Sequence, residues 1–216
     1  MKTSTKWNIG IAVAVVLIVA AIAVFAAMRP SAPDAAGADG AIPVVAENSH
    51  RLSVAEGKVT FVEFLDFECE VCGAAYPVIE QLREDYAGRV TFVVRYFPIP
   101  GHKNSMTSAI AVEAAAQQGQ FEAMYRRMFE TQAQWGEQQN TKADLFRTFA
   151  VDLGLDMAAY DEAVADPATQ ERVESDFNAG RALDVQGTPT FFLNDEKLEV
   201  NTTDELTATL DRALAE

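Results

Sequence analysis

Cysteine is scarce in this chain, with Cys69 and Cys72 the only two. Histidine is as scarce, at His50 and His102. A structural metal knuckle takes about four ligands, and neither histidine stands in ligand spacing with the cysteines, so the composition disfavours a bound metal. A purely structural bridge is disfavoured too, because the ring between the two cysteines is too short to gain much from loop closure. Cations are also in short supply: 17 Lys and Arg against 32 Asp and Glu, a net charge of −15. Without residues 1–39 there remain 14 basic and 30 acidic residues, a net of −16. That balance argues against nucleic acid and anionic lipid headgroups as partners; it suits a solvated acidic surface. There is no internal repeat.

One stretch lacks charge altogether. Residues 9–28 are apolar apart from Gly10, with Lys2 and Lys6 before them. Twenty residues at about 1.5 Å each cross a bilayer core, and lysine-bearing flanks stay in the cytoplasm. Residues 1–28 are therefore expected to be an uncleaved single-pass anchor with the rest of the chain extracytoplasmic. The alternative is a cleaved signal peptide, for which Ala23, Ala26 and Ala27 offer small residues. No cysteine follows the run, which excludes a lipoprotein anchor. Residues 29–50, with Pro30, Pro33, Gly37 and Gly40, are expected to be a flexible tether, and His50 to be inert.

Against this background Cys69-Glu70-Val71-Cys72 stands out. The pair ends an apolar, β-branched and aromatic run over 58–67 that suits a buried strand. The spacing after it predicts a helix over 73–86, with Val78, Ile79 and Leu82 on one face and Pro77 inside. Two thiols at this spacing, the first near a helix N-terminus that favours its anion, are arranged for thiol–disulfide exchange. Disulfides persist outside the cytoplasm, so an exported chain with a single CxxC is expected to act on the cysteines of other proteins.

A second strand is predicted over 90–97, ended by Pro98 and Pro100-Gly101. Residues 105–183 are helical in composition, with breaks at Gly119, Gly136 and Gly154; Asp166-Pro167 reads as a cap and first-turn proline. Strands over 190–193 and 197–200 form a hairpin across Asn194-Asp195, and Thr203 is expected to cap a last helix over 204–215. Trp135 and the phenylalanines at 121, 129, 146 and 149 are helically spaced and read as core, although an exposed Trp135 could face a substrate. The element order predicts an α/β fold whose βαβ half (51–104) and ββα half (184–216) flank an all-helical insertion (105–183).

In these features the chain resembles the DsbA-type thiol–disulfide oxidoreductases of the thioredoxin-fold superfamily, and among them the membrane-tethered forms of Gram-positive bacteria. The resemblance covers residue 58 to the end. It is carried by Phe61-Val62-Glu63-Phe64-Leu65-Asp66-Phe67-Glu68-Cys69-Glu70-Val71-Cys72, by Pro77, by Phe97-Pro98-Ile99-Pro100-Gly101-His102, and by Gly187-Thr188-Pro189-Thr190-Phe191-Phe192. It implies that Cys69 is the exposed sulfur that forms the mixed disulfide and Cys72 the shielded partner. It implies that Pro189 follows a cis peptide, offering the Thr188 main chain to a substrate peptide, and that Glu63 is a buried acid that moves the Cys72 proton. Arg95 is a candidate partner for Glu63. His102, at a strand end, is a candidate for substrate contact and for stabilising the Cys69 thiolate.

The resemblance further implies no bound cofactor, cysteine-containing exported proteins as substrates, a membrane redox partner of the DsbB or vitamin K epoxide reductase type, and a monomer. One departure matters: relatives that oxidise strongly carry a histidine between the cysteines, whereas Glu70 here brings a like charge that is expected to raise the Cys69 pKa and make the protein less oxidising. The leading expectation is disulfide donation to exported proteins. Its alternatives are a reductase or isomerase in the same compartment, for instance in cytochrome maturation, a peptide-binding holdase, and a metallochaperone.

Overall fold

The computed structural model describes residues 42–200 and 202–216. The expected anchor and most of the expected tether lie outside these residues; among the described ones, no helix is long and apolar enough to cross a membrane. Five strands and seven helices are described. Strands β1 (His50–Ser53), β2 (Thr60–Leu65) and β3 (Thr91–Tyr96) come first, with α1 (Glu70–Asp85) between β2 and β3. Five helices follow: α2 (Ser105–Ala116), α3 (Phe121–Trp135), α4 (Ala143–Asp152), α5 (Met157–Ala165) and α6 (Pro167–Ala182). The chain closes with β4 (Thr190–Leu193), β5 (Glu196–Lys197) and α7 (Thr203–Ala215). The sheet order is β1-β3-β2-β4-β5. Strands β2 and β3 run parallel, and the other pairs antiparallel. This is the expected α/β sheet with an all-helical insertion between its halves.

Strand β2 lies at the centre of the sheet and is buried on both faces, as its nearly continuous apolar sequence requires. Alternation then sorts its side chains. Phe61 and Leu65 join the larger core with Cys72, Ile79 and Leu82 of α1, while Val62 and Phe64 join Val93, Phe97 and Phe192 on the other side. Glu63 is thereby committed to the face that carries Cys72. On the opposite face α6 crosses closely at Gly180, where a Cβ would come within 2.8 Å of the Phe97 ring and 3.0 Å of the Phe64 ring. Both rings are buried and cannot swing aside. Gly180→Ala is therefore expected to destabilise the protein by about 1–3 kcal/mol despite alanine's better helix propensity, checked by urea unfolding.

The structure corrects several expectations. The tether does not extend to residue 50: Val44 is buried, its carbonyl and that of Pro43 accept hydrogen bonds from Arg95 (both 3.0 Å), and His50 opens the edge strand β1. Nor is His50 an isolated side chain. It stacks on Phe121 at 4.0 Å, and its Nε2 lies 2.7 Å from Glu113 in α2. Arg95 does not pair with Glu63, because the register places it opposite Phe64, on the other face of the sheet. There its Nε donates to Asp176 of α6 at 2.8 Å, and both side chains are buried. Trp135 is fully buried against Phe146 rather than facing a substrate. The last helix is capped by Thr202, not Thr203. The Thr202 hydroxyl accepts from the Glu205 amide, in the Thr-x-x-Glu pattern of a helix start.

Candidate active site

The turn from β2 into α1 carries the cysteines. Asp66 shapes it: its Oδ1 accepts from the Glu68 amide at 2.9 Å, and its backbone carbonyl from the Cys69 amide at 3.1 Å. Cys69 is the N-cap of α1, so the helix begins at Glu70, three residues earlier than the periodicity predicts. The apolar pattern sets in later than the first turn, which is why the sequence underestimates the helix. Cys72 falls one turn in, fully buried.

The Thr188–Pro189 peptide is cis. This loop lies against the redox pair, with the Cys69 Sγ donating to the Thr188 carbonyl at 3.3 Å. The Thr188 hydroxyl is buried and has no hydrogen-bond partner among the described residues. Beside it runs an open groove walled by Val71, Ala75 and Val78 of the α1 side and by Pro189, Phe191 and Leu198 of the other. Val71, between the cysteines, is 59% exposed, although it is apolar.

The two thiols are set in opposite directions. The Cys69 thiol is lowered to about 5. A hydrogen bond from the Cys72 thiol is the main cause; burial opposes it, and the Cys72 and Val71 amides add to it. Cys72 is pushed well above the ordinary thiol range, chiefly by burial, then by its bond to Cys69 and the charge of Glu63. Glu70 therefore does not govern Cys69 as its place in the sequence suggests. Its side chain is exposed to water, while first-turn amides face the sulfur directly.

Glu63 is buried on the Cys72 face, and its carboxyl is raised to about 8 by burial, then by the charges of Glu80 and Cys69. His102 is brought to the site through Asp66, with its Nδ1 2.6 Å from Asp66 Oδ2, which also accepts from the Ile99 amide at 3.1 Å. Burial works against the imidazolium, but Asp66, Glu68 and Cys69 together raise its pKa. His102 does not line the groove beside Pro189. It lines a separate hollow with Ile99, Met106 and Phe177, so the structure joins it to the redox centre by charge rather than by a shared substrate surface. Asp66, which organises both the turn and His102, went unmarked in the sequence; its only local signal is an aspartate two residues before Glu68 at a strand end, the pattern of an Asx turn. Among the described residues, no cluster of three or more His, Cys, Asp or Glu could hold a metal ion.

Comparison with known proteins places this geometry. Residues 46–212 match the family described as thioredoxin. The thioredoxin-like oxidoreductase of Silicibacter pomeroyi DSS-3 superposes with a TM-score of 0.67 at 27% identity, over 79% of this chain and 95% of that one. BdbD of Bacillus subtilis superposes with a TM-score of 0.69 at 22% identity, over 78% and 94%, a likeness of fold. Among curated proteins, the Na(+)/H(+) antiporter NhaA 3 of Salinispora tropica is 37% identical over 154 residues, which are 71% of this chain but 22% of the antiporter. The chain thus spans about a quarter of the length of the curated relatives it matches. With one family covering nearly all the described residues, this chain belongs to the thioredoxin family.

Proposed function

We propose that the protein is an extracytoplasmic thiol–disulfide oxidoreductase that introduces disulfide bonds into exported proteins through Cys69 and Cys72. The observation that carries this reading is the opposite setting of the two thiols within one CxxC turn: a Cys69 sulfur favoured as thiolate at about 5, and a buried Cys72 held as neutral thiol. A reduced form stabilised in this way makes its disulfide a strong oxidant.

The steps follow from the geometry. A substrate thiolate attacks the Cys69 sulfur of the oxidised protein; the Cys69–Cys72 bond breaks, and its electron pair stays on Cys72. Glu63, protonated at neutral pH, gives its proton to the departing Cys72 sulfur. A second substrate thiolate attacks the substrate sulfur of the mixed disulfide and expels Cys69 as a thiolate, the better leaving group because of its low pKa. The substrate leaves oxidised, and the protein keeps two electrons as a thiolate–thiol pair. The Thr188 main chain and the apolar groove beside it receive the substrate chain around its cysteine.

The apolar residues 9–28 support a single-pass anchor with this domain outside the cytoplasm. A membrane partner of the DsbB or vitamin K epoxide reductase type would take up the electrons, and the protein would act as a monomer without a bound cofactor. The antiport in the relatives' names is said of proteins of which this chain matches about a quarter.

Equilibration of residues 42–216 with glutathione tests the direction. A potential near about −120 mV is expected for a disulfide donor; one near about −270 mV would make the protein a reductase and overturn the proposal.

A further inference from the structure

The redox turn is also gripped from outside the βαβ half. Gln132, on α3 of the helical insertion, donates from its Nε2 to the Phe67 carbonyl and to the Cys69 carbonyl, each at 2.8 Å. Both hydrogens of one amide are thus spent on the residues that flank Glu68, where the strand ends and the helix begins. The side chain cannot be turned round, because its oxygen would then face two carbonyl lone pairs.

Gly73 gives an independent sign of this contact. It stands in the first turns of α1, where glycine costs about 1 kcal/mol relative to alanine, and its backbone has no positive φ to require it. A Cβ there would lie 2.0 Å from the Gln132 Oε1 and 2.8 Å from its Cδ. The missing side chain is the space that Gln132 occupies.

The grip falls where the turn needs it. Cys69, as N-cap, makes no side-chain capping hydrogen bond, so its side chain does not by itself fix the helix start. Its carbonyl accepts from the Gly73 amide at 3.0 Å and from Gln132. We propose that Gln132 is a positioning residue for the redox centre: a carboxamide from the insertion that ties the end of β2 to the first turn of α1 and so holds the Val71 and Cys72 amides toward the Cys69 sulfur. The insertion then contributes to the reactivity of Cys69 as well as to the core, through a residue that touches neither sulfur.

This inference rests on Cys69 being the reactive thiol of an exchange protein, and the experiment separates the two claims. The Cys69 thiolate is titrated by its ultraviolet absorbance and by alkylation rate, and thermal unfolding is recorded, for the wild type, Gln132→Ala, Gln132→Glu, Gly73→Ala and the Gly73→Ala/Gln132→Ala double variant. Gln132→Glu sets a carboxylate against two carbonyls near the sulfur and is expected to raise the Cys69 titration by about one pH unit, a tenfold change in acidity. Gln132→Ala is expected to raise it by less. Gly73→Ala should match Gln132→Ala in titration while losing stability, because its Cβ expels the glutamine. The double variant should regain that stability, with the clash removed, but keep the raised titration. A purely structural Gln132 would move unfolding alone. Wild-type titration well below the ordinary range, with all four variants titrating alike, would overturn the role of Gln132 only; a wild-type sulfur titrating near 9 would overturn the exchange reading and this inference with it.

Discussion

Replacing Cys72 with serine is expected to abolish turnover while leaving the first chemical step intact. The Cys69 sulfur is not the exposed one the resemblance implies, since the residue is only 7% exposed, but in that variant it keeps the first-turn amides that favour its thiolate, so it still attacks a protein or glutathione disulfide. A Cys69–substrate disulfide forms and the other substrate sulfur leaves as a thiolate. With no sulfur at position 72 the adduct is not resolved from within, and mixed disulfides accumulate. Some reactivity should also be lost, because the largest contribution to the low Cys69 pKa is the Cys72 thiol's hydrogen bond. The Cys69 titration is therefore expected to rise in Cys72→Ser, limited by how well the serine hydroxyl substitutes as donor. Cys69→Ser leaves only a buried thiol raised far above neutrality, and exchange is expected to fall to the uncatalysed background without trapped adducts. Mass spectrometry of both variants after incubation with a disulfide-containing peptide checks this. Adducts on Cys69→Ser, or none on Cys72→Ser, would reverse the assigned roles. A holdase would bind the peptide equally in both variants.

What the sequence discloses about this site is what lies close along the chain. The CxxC pair, the strand before it and the helix after it are set by neighbours within about twenty residues, and alternation along β2 alone puts Glu63 on the same face as Phe61 and Leu65. The Thr-Pro loop is legible only by its likeness to a family, since 119 residues separate Thr188 from the Cys69 sulfur it receives. Longer-range partners left no local trace. Arg95 reads as a possible neighbour of Glu63 because both stand in apolar strands, but parity of the β2–β3 register sends it to the opposite face and to Asp176, 81 residues away. Strand β1 is four residues long and merges in composition with the tether; only its pairing with β3 makes it a strand. Glu70 misleads for a different reason. Adjacency in sequence is not proximity of charge, and an exposed carboxylate is screened by water, while amides at the helix start face the sulfur directly.

Glu63→Gln is expected to make the protein both more stable and slower, with the gain in stability growing as pH rises. The folded carboxyl titrates at about 8 against an ordinary value of 4.5. Between those values the native state holds a proton that the unfolded chain has released, so wild-type stability falls with rising pH across that window and levels off above it. Below pH 4.5 both states are protonated and Glu63 contributes no slope. Glutamine keeps the shape and does not titrate, so the variant lacks the decline. Its advantage is expected to be near zero at pH 4 and to reach roughly 3 kcal/mol at pH 7. The oxidised protein is the form to unfold, because neither sulfur titrates there; in the reduced protein the lowered Cys69 pKa gives a slope of opposite sign that would mask the effect. Against this gain stands the lost proton donor. Cys72 must leave as an anion inside a dry core, and the rate of substrate oxidation is expected to fall by about 10²-fold. Wild-type oxidation, normalised for substrate thiolate, should decline as Glu63 ionises near pH 8, and the variant should show no step there. Equal stability of the two proteins at pH 7 would mean that Glu63 does not keep its proton in the core, and an unchanged rate would remove it from the path of the Cys72 proton. A residue that stabilises the fold by its removal and slows the chemistry by its absence is held in the core by function, and that combination separates a working acid beneath the disulfide from a glutamate tolerated in a strand.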